Sequence, residues 1–215
     1  MKETRPRKMQ NKIVQSIVFD AMFLAIIVIM TFVPYVGFIQ IGIISFTLIH
    51  IPVLIGAALF GWKRGLMYGV FFGVASLIKA TTYPGTIDFL FVNPLVSILP
   101  RALFGLAAGF LFSLVKKMPR FYQKGIHITI ASFVLTILHT FLVLTMLWLI
   151  YRPQLETFLQ QSITWAGLAL AGLIGVGALI EAGIAAVVTP TVSLLVYNKY
   201  PHLASRKEQN NETRS

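Results

Sequence analysis

The chain has no cysteine and few charged residues. Only 12% of its 215 residues are Asp, Glu, Lys or Arg, whereas soluble domains carry about 25%. The missing cysteines exclude a disulfide framework, a thiolate metal site and a cysteine nucleophile. The low charge, beside a hydrophobic content of 57%, excludes an ordinary soluble domain.

Several enzyme motifs are missing as well. The sequence contains no G-x-x-x-x-G-K-[ST] phosphate loop, no H-E-x-x-H and no G-x-S-x-G. Its seven acidic residues form no cluster that would hold metal ions for phosphoryl transfer. The sequence therefore predicts a protein that is not an enzyme, does not hydrolyse ATP itself, and needs neither a metal nor a cofactor.

Long apolar runs make up most of the chain. Runs of about 20 residues are long enough to cross the ~30 Å hydrocarbon core of a bilayer. We therefore expect an all-α membrane protein with one six-helix domain over residues 1–200 and a polar, disordered tail over residues 201–215. The predicted spans are Ile13–Val33, Ile43–Phe60, Gly65–Ala80, Phe91–Val115, Ile126–Ile150 and one within Gly167–Tyr197. A short amphipathic segment, Leu155–Trp165, is expected before the last span.

The basic residues indicate which side of the membrane each connection faces. Fifteen of the 18 Lys and Arg residues flank the spans on one side, and the opposite connections hold only Lys79 and Arg152. Cytoplasmic loops are the ones enriched in Lys and Arg. We therefore predict a multi-pass plasma-membrane protein with both termini in the cytoplasm. The net charge of +11 then reflects the basic residues of the cytoplasmic connections, and no nucleic-acid partner is expected.

Four ionisable residues fall deep inside predicted spans. Such residues are costly in lipid and normally face a partner or a cavity. Arg101 and Glu181 could form a buried ion pair, or Arg101 could offer a forked cation to a substrate carboxylate in a water-filled pocket. His50 and His139 could hydrogen-bond a neighbouring helix or a substrate. The sequence leaves each of these alternatives open.

Prolines interrupt the outer half of the fourth span. Pro94 follows Asn93, and Pro100 immediately precedes Arg101. A proline inside a span frees backbone carbonyls, which is tolerated where neighbours or a cavity satisfy them. Together with the polar loop that begins at Lys79, this pattern predicts a binding site at the outer half of span four.

Small residues recur at four-residue spacing in three spans. Such stripes let helix backbones approach closely in lipid, so internal packing is the expected role of the glycines. Asp20, near the basic flank of span one, is expected to pair with a Lys or Arg. The small residues are Gly65, Gly69 and Gly73 in span three, Gly105 and Gly109 in span four, and Ala21 and Ala25 in span one.

The chain as a whole resembles the substrate-binding S component of an energy-coupling factor (ECF) vitamin transporter. The resemblance extends from span one to span six. It rests on the topology and on three segments: Ala21-x-x-x-Ala25, the stretch His50–Ile–Pro–Val–Leu–Ile–Gly–Ala57, and the stretch Asn93–Pro–Leu–Val–Ser–Ile–Leu–Pro–Arg101.

This resemblance implies a function and partners. Members bind one vitamin tightly near the outer face, and the A-x-x-x-A face of the first helix docks on a transmembrane scaffold subunit. Two ATPase subunits supply the energy. On this basis Ala21 and Ala25 are expected to form a partner-docking surface in the bilayer, where close helix approach favours small residues.

The segments around His50 and Arg101 resemble pantothenate-type members most closely. Pantothenate has a carboxylate for Arg101 or Lys79, and hydroxyl and amide groups for Asn93 and the two histidines. Glu181 is a further candidate at this site. S components for pyridoxine or hydroxymethylpyrimidine, and a self-sufficient secondary transporter with Glu181 as its proton site, remain alternatives.

Overall fold

A computed structural model describes residues 7–34, 36–41, 44–82, 88–116, 118, 121–159, 162, 164–165, 167–168 and 176–200. Five helical stretches of the described chain are long and apolar enough to cross a membrane, and a sixth apolar helix, α2, is shorter. The elements are α1 (Arg7–Phe32), β1 (Phe38–Ile41), β2 (Ile44–Thr47), α2 (His50–Phe60), α3 (Trp62–Thr82), a 3₁₀ turn (Asp88–Phe91), α4 (Pro94–Ser97), α5 (Leu99–Val115), α6 (Phe121–Leu159) and α7 (Val176–Lys199).

The second predicted span is wrong in its first part. The sequence predicted one helix over Ile43–Phe60, but residues 44–47 form β2, which pairs antiparallel with β1, and helix α2 begins only at His50. Both strands are rich in isoleucine and phenylalanine, which fit a pleated sheet as readily as an apolar helix. Hydropathy alone does not distinguish the two structures.

Helix α2 is enclosed by the rest of the bundle. With 11 residues it is about 16 Å long, too short to span a bilayer. Every residue from His50 to Leu59 is buried. At its C-terminal end, Lys116 Nζ donates to the Leu59 carbonyl over 2.6 Å, and the Tyr197 hydroxyl donates to the Ala58 carbonyl over 2.5 Å. Side chains of other elements thus satisfy carbonyls that a helix end leaves free.

The glycine stripes hold α3 directly against α5. A Cβ added at Gly65 or Gly105 would overlap the other residue's carbonyl oxygen, and one added at Gly69 would overlap the carbonyl oxygen of Arg101. The two backbones therefore touch, as the four-residue spacing predicted. This contact fixes the height of Arg101 relative to α3.

The fourth predicted span, Phe91–Val115, is not one helix. It consists of the end of the 3₁₀ turn, the single turn α4 and the longer α5. The proline-broken outer half predicted from the sequence is thereby confirmed. Asn93 begins α4, and its side-chain oxygen accepts a hydrogen bond from the Leu95 N–H at 2.9 Å.

The last two helices differ from their predicted limits. Span five, predicted as Ile126–Ile150, extends over all of α6 and is kinked at Tyr151, where φ is −121° and ψ is 22°. Residues 155–159 of the expected amphipathic segment continue this helix, and half of the segment's remainder, residues 160, 161 and 163, lies outside the described residues. Span six is α7, which also lies mainly within its predicted range. The tail 201–215 lies outside the described residues too.

Helix α1 is attached to α3 by a polar contact. Arg64 Nε lies 3.2 Å from Asp20 Oδ1, and the Tyr68 hydroxyl donates to the same carboxylate oxygen. The predicted pairing of Asp20 with a basic residue is therefore confirmed. Ala21 and Ala25, by contrast, are exposed on α1, so the described part of the chain does not cover them.

Candidate functional site

The site begins with Arg101, which is buried at the start of α5. Its Nη1 donates to the carbonyls of Val96, at 3.2 Å, and of Ser97, at 2.8 Å. The guanidinium carbon lies 5.0 Å from the Phe72 ring centre and 5.3 Å from that of Phe91. Two aromatic faces and two carbonyls therefore hold this cation, and no carboxylate among the described side chains pairs with it.

The break between α4 and α5 explains these carbonyl contacts. In an unbroken helix the Val96 carbonyl would accept from the N–H four residues later, but that residue is Pro100, which has none. Arg101 supplies the missing donor through its side chain. The proline and the arginine next to it thus form one local unit that fixes the guanidinium.

The two intramembrane histidines lie together. The His50 and His139 rings stack with their centres 5.8 Å apart and their planes inclined at 21°. Phe104 lies against both, 6.2 Å from His50 and 4.9 Å from His139, and Phe72 lies 5.9 Å from His139. Because Phe72 also contacts Arg101, the three candidate polar residues share one aromatic-walled site.

Glu181 is buried, but it does not pair with Arg101. Its Oε1 accepts a hydrogen bond from the backbone N–H of Thr47, at the end of β2. The ion pairs among the described residues are Arg64–Asp20 and Arg152–Glu156. Glu181 therefore does not form the ion pair that the sequence offered as an alternative. It instead links α7 to Thr47 of the β1–β2 hairpin, three residues before His50.

Lys79 and Asn93 are partly exposed, whereas the three central residues, Arg101, His50 and His139, are buried. Lys79 lies in the last turn of α3, two turns beyond Phe72, and is partly exposed. Asn93 is partly exposed and uses its side-chain oxygen to begin α4. Asn93 therefore shapes the segment that carries Arg101.

Sequence reasoning missed the aromatic wall formed by Phe72, Phe91 and Phe104. In an apolar chain with 17 phenylalanines, none of them stands out. One signal was present: Phe104 follows Arg101 by three residues, which places both on one face of a helix. Phe72 could not be assigned, since its position depends on the register of α3 against α5.

The site retains polar atoms that the described protein does not satisfy. They are Arg101 Nε, both ring nitrogens of His50 and Nε2 of His139. A buried donor or acceptor without a partner costs about 1–3 kcal/mol. The arrangement therefore offers a carboxylate one edge of a fixed guanidinium, and it offers hydroxyl or amide groups three imidazole nitrogens.

Metal binding finds no support in the same geometry. Within the described residues, no three His, Asp or Glu side chains converge in a way that could hold a metal ion. The stacked histidines present parallel ring faces to one another, whereas metal ligands would point their nitrogens at a shared centre.

Comparison with known families matches most of the chain. A family described as "ECF transporter, substrate-specific component" matches residues 15–193. The match includes α1 from Gln15 onward, the β1–β2 hairpin, Arg101 and both histidines.

Two relatives carry similar names. A pantothenate transporter, PanT, of Leuconostoc mesenteroides subsp. mesenteroides is 34% identical over 110 residues, which are 49% of this chain and 54% of that protein. A pantothenic acid transporter, PanT, of Lactococcus lactis subsp. cremoris is 29% identical over 153 residues, which are 68% of this chain and 74% of that protein. The alignment thus spans about half of the Leuconostoc protein.

A solved structure has the same fold. The crystal structure of the S component for biotin from an ECF-type ABC transporter superposes with a TM-score of 0.58, covering 88% of this chain and 94% of that one. The two sequences are only 17% identical, so the likeness concerns the architecture alone.

Proposed function

Because the chain belongs to the family of ECF transporter substrate-specific components, we propose that it is the vitamin-binding subunit of an ECF-type importer and that its vitamin is pantothenate. Members of this family are integral membrane proteins that bind a small vitamin and work with a membrane-embedded energy-coupling module. The chain is accordingly a transporter subunit and not an enzyme.

The observation that carries the substrate proposal is the state of Arg101. Backbone carbonyls occupy Nη1, while the buried Nε has no partner in the described part of the chain. A carboxylate accepts two parallel hydrogen bonds from one guanidinium edge. Pantothenate supplies that carboxylate, and its amide and hydroxyls can pair with His50 and His139.

Two further observations support pantothenate. Both relatives named above are pantothenate transporters by name. Pyridoxine and hydroxymethylpyrimidine have no carboxylate, so either of them would leave the cation at Arg101 uncompensated in a buried site. Such an uncompensated charge is costly, which favours an anionic vitamin.

The remaining site residues have supporting roles in this proposal. Glu181 holds the hairpin over the site through Thr47, and Lys79 adds positive charge at the rim. Asn93 begins the turn that carries Val96 and Ser97, and these two residues hold Arg101. We further propose a six-helix domain over residues 1–200 with both termini in the cytoplasm, because the connections on that side carry most of the Lys and Arg residues.

The energy-coupling partners are proposed to be a transmembrane scaffold subunit and two ATPases. Ala21 and Ala25 support this proposal because both are exposed on α1. Small exposed residues one turn apart let a partner helix pack against the backbone in lipid.

A pair of ligands tests the role of Arg101. Pantothenol replaces the carboxylate of pantothenate by an alcohol and leaves the rest unchanged. We expect Arg101→Gln to weaken pantothenate binding at least about tenfold, the value of one charged hydrogen bond, and to leave pantothenol binding unchanged. Lys79→Gln is the matched control and should change neither by more than about twofold.

Either of two results would contradict this assignment. One is equal affinity of the wild type for the two ligands, and the other is an equal loss of both ligands in Arg101→Gln. Arg101→Lys, which keeps the charge, guards against misfolding. It should retain part of the preference for pantothenate, because an ammonium still attracts a carboxylate without the fork.

A further inference from the structure

The single helical turn α4 contacts two neighbouring helices. Its Val96 is fully buried and belongs to one apolar cluster with Leu147 of α6. Its backbone also touches α3, because a Cβ added at Gly73 would lie 2.9 Å from the carbonyl oxygen of Ser97. The turn is therefore packed against both α3 and α6, directly before the helix that carries Arg101.

Ser97, the last residue of α4, is fully buried and makes two different hydrogen bonds. Its side-chain hydroxyl donates to the carbonyl of Phe91, and its own carbonyl accepts from Arg101 Nη1 at 2.8 Å. Phe91 ends the 3₁₀ turn, and its ring centre lies 5.3 Å from the guanidinium carbon of Arg101. Ser97 thus joins the turn that carries this ring to the cation that the ring contacts.

The hydroxyl of Ser97 bonds across the junction of two elements. For comparison, the hydroxyls of Thr31 and Ser113 donate to carbonyls of their own helices, four and three residues earlier. The Ser97 hydroxyl reaches back six residues, from the end of α4 to the end of the 3₁₀ turn. A carbonyl at the end of a helical turn has no partner within that turn. The bond therefore holds two separate elements together.

The orientation of Arg101 depends on this junction. A carboxylate accepts two parallel hydrogen bonds only from a guanidinium edge that is held in a suitable plane. Such a group keeps its geometry when neighbouring hydrogen bonds and packing lock it. Four contacts hold Arg101: the carbonyls of Val96 and Ser97, and the rings of Phe72 and Phe91. Three of the four come from α4 or from the end of the 3₁₀ turn.

We propose that Ser97 is a positioning residue of the vitamin site. By tying Phe91 to α4, its hydroxyl holds the ring and the two carbonyls around the guanidinium of Arg101 in the orientation that accepts a carboxylate. Ser97 acts through these groups and not by touching the vitamin, since its hydroxyl already donates to Phe91. The identity of the ligand rests on the proposed function, whereas the tie itself does not.

Hydrogen–deuterium exchange of the vitamin-free chain tests the tie without any ligand. Ser97→Ala removes the hydroxyl and should speed exchange of the backbone amides from Phe91 to Ser97 at least about threefold, because local opening becomes easier. Ser113→Ala is the matched control. It removes a hydroxyl that bonds within α5 and should leave exchange in that segment unchanged. Equal exchange in the wild type and in Ser97→Ala would overturn the proposal, whatever the ligand.

The preference for pantothenate over pantothenol tests the consequence for binding. Ser97→Ala should lower the ratio of the two affinities at least about fivefold, which is part of the value of one charged hydrogen bond. Ser97→Cys keeps the shape and a weak S–H donor, so it should retain part of the preference. Ser113→Ala should leave the ratio within about twofold of the wild type.

The outcomes distinguish this role from the proposed function. Equal binding of both ligands by the wild type would contradict the carboxylate assignment, and the exchange measurement would then decide the role of Ser97. A wild type that prefers pantothenate, with the same ratio in Ser97→Ala, would contradict the role of Ser97 alone. An equal loss of both ligands in Ser97→Ala would contradict it too, because Ser97 would then only stabilise the fold.

Discussion

The His50 and His139 rings stack at 5.8 Å although they come from α2 and α6. Neither ring is more than 5% exposed, and Nε2 of each lacks a partner in the described structure. Burying two imidazoles in contact serves packing no better than two phenyl rings would. The unpaired nitrogens are therefore the reason to regard the pair as a binding element.

Replacing a ring while keeping its shape tests this view. His139→Phe preserves stacking on His50 and Phe104 but removes both nitrogens. We expect pantothenate affinity to fall about tenfold, the value of a lost hydrogen bond in a buried site. The melting temperature of the vitamin-free protein should stay the same or rise, because an unpaired polar group is removed. Unchanged affinity in calorimetry would mean that His139 only packs.

The exposed alanines of α1 predict a separation of binding from transport. Ala21→Trp and Ala25→Trp should abolish pantothenate uptake by cells and leave binding by the purified chain within about twofold, since both residues point away from the site. Val187→Trp is the matched control, because Val187 is 66% exposed on another helix. Parallel loss of binding and uptake in the alanine variants would contradict a docking role.

The contact of α3 with α5 predicts that a larger side chain is tolerated at some glycines and not at others. Gly105→Leu forces a side chain into the carbonyl of Gly65 and should destabilise the fold by about 3 kcal/mol. Gly183→Leu is the control, because a Cβ there meets nothing within 4 Å. Thermal unfolding in detergent measures both, and similar melting temperatures for the two variants would contradict the packing described.

Lys116 predicts a pH dependence of stability. Burial, with Lys124 and Arg64 nearby, lowers its pKa to about 7, while an unfolded lysine titrates near 10.4. Between these values the unfolded chain binds more protons than the folded one, so stability rises with pH. We expect the melting temperature of the wild type to rise from pH 7 to pH 10 more steeply than that of Lys116→Met. Equal slopes would show that Lys116 is not desolvated.

Much of this architecture could be predicted from the sequence. Apolar length located the membrane helices, since hydrocarbon thickness fixes how many residues cross it. Four-residue glycine spacing predicted the close approach of helices, and Pro100 predicted the break beside Arg101. In each case a local property of a few residues determines the outcome.

The rest depends on contacts between distant segments. The strand over residues 44–47 forms because residues 38–41 pair with it, and no periodicity within the apolar run indicates that pairing. The partner of Glu181 is the backbone N–H of Thr47. A backbone partner cannot be found by matching side-chain charges, and charge matching in the sequence points to Arg101 instead.

Pantothenate binding by the purified, vitamin-free chain is the most direct test of the account. Isothermal calorimetry should give saturable binding at one site. A ligand that binds only the folded state stabilises it by about 2.7 kcal/mol at a hundredfold excess over Kd, so the melting temperature should rise as well. A folded chain that gives neither heat nor a thermal shift with pantothenate, but responds to pyridoxine or hydroxymethylpyrimidine, would contradict the proposed substrate.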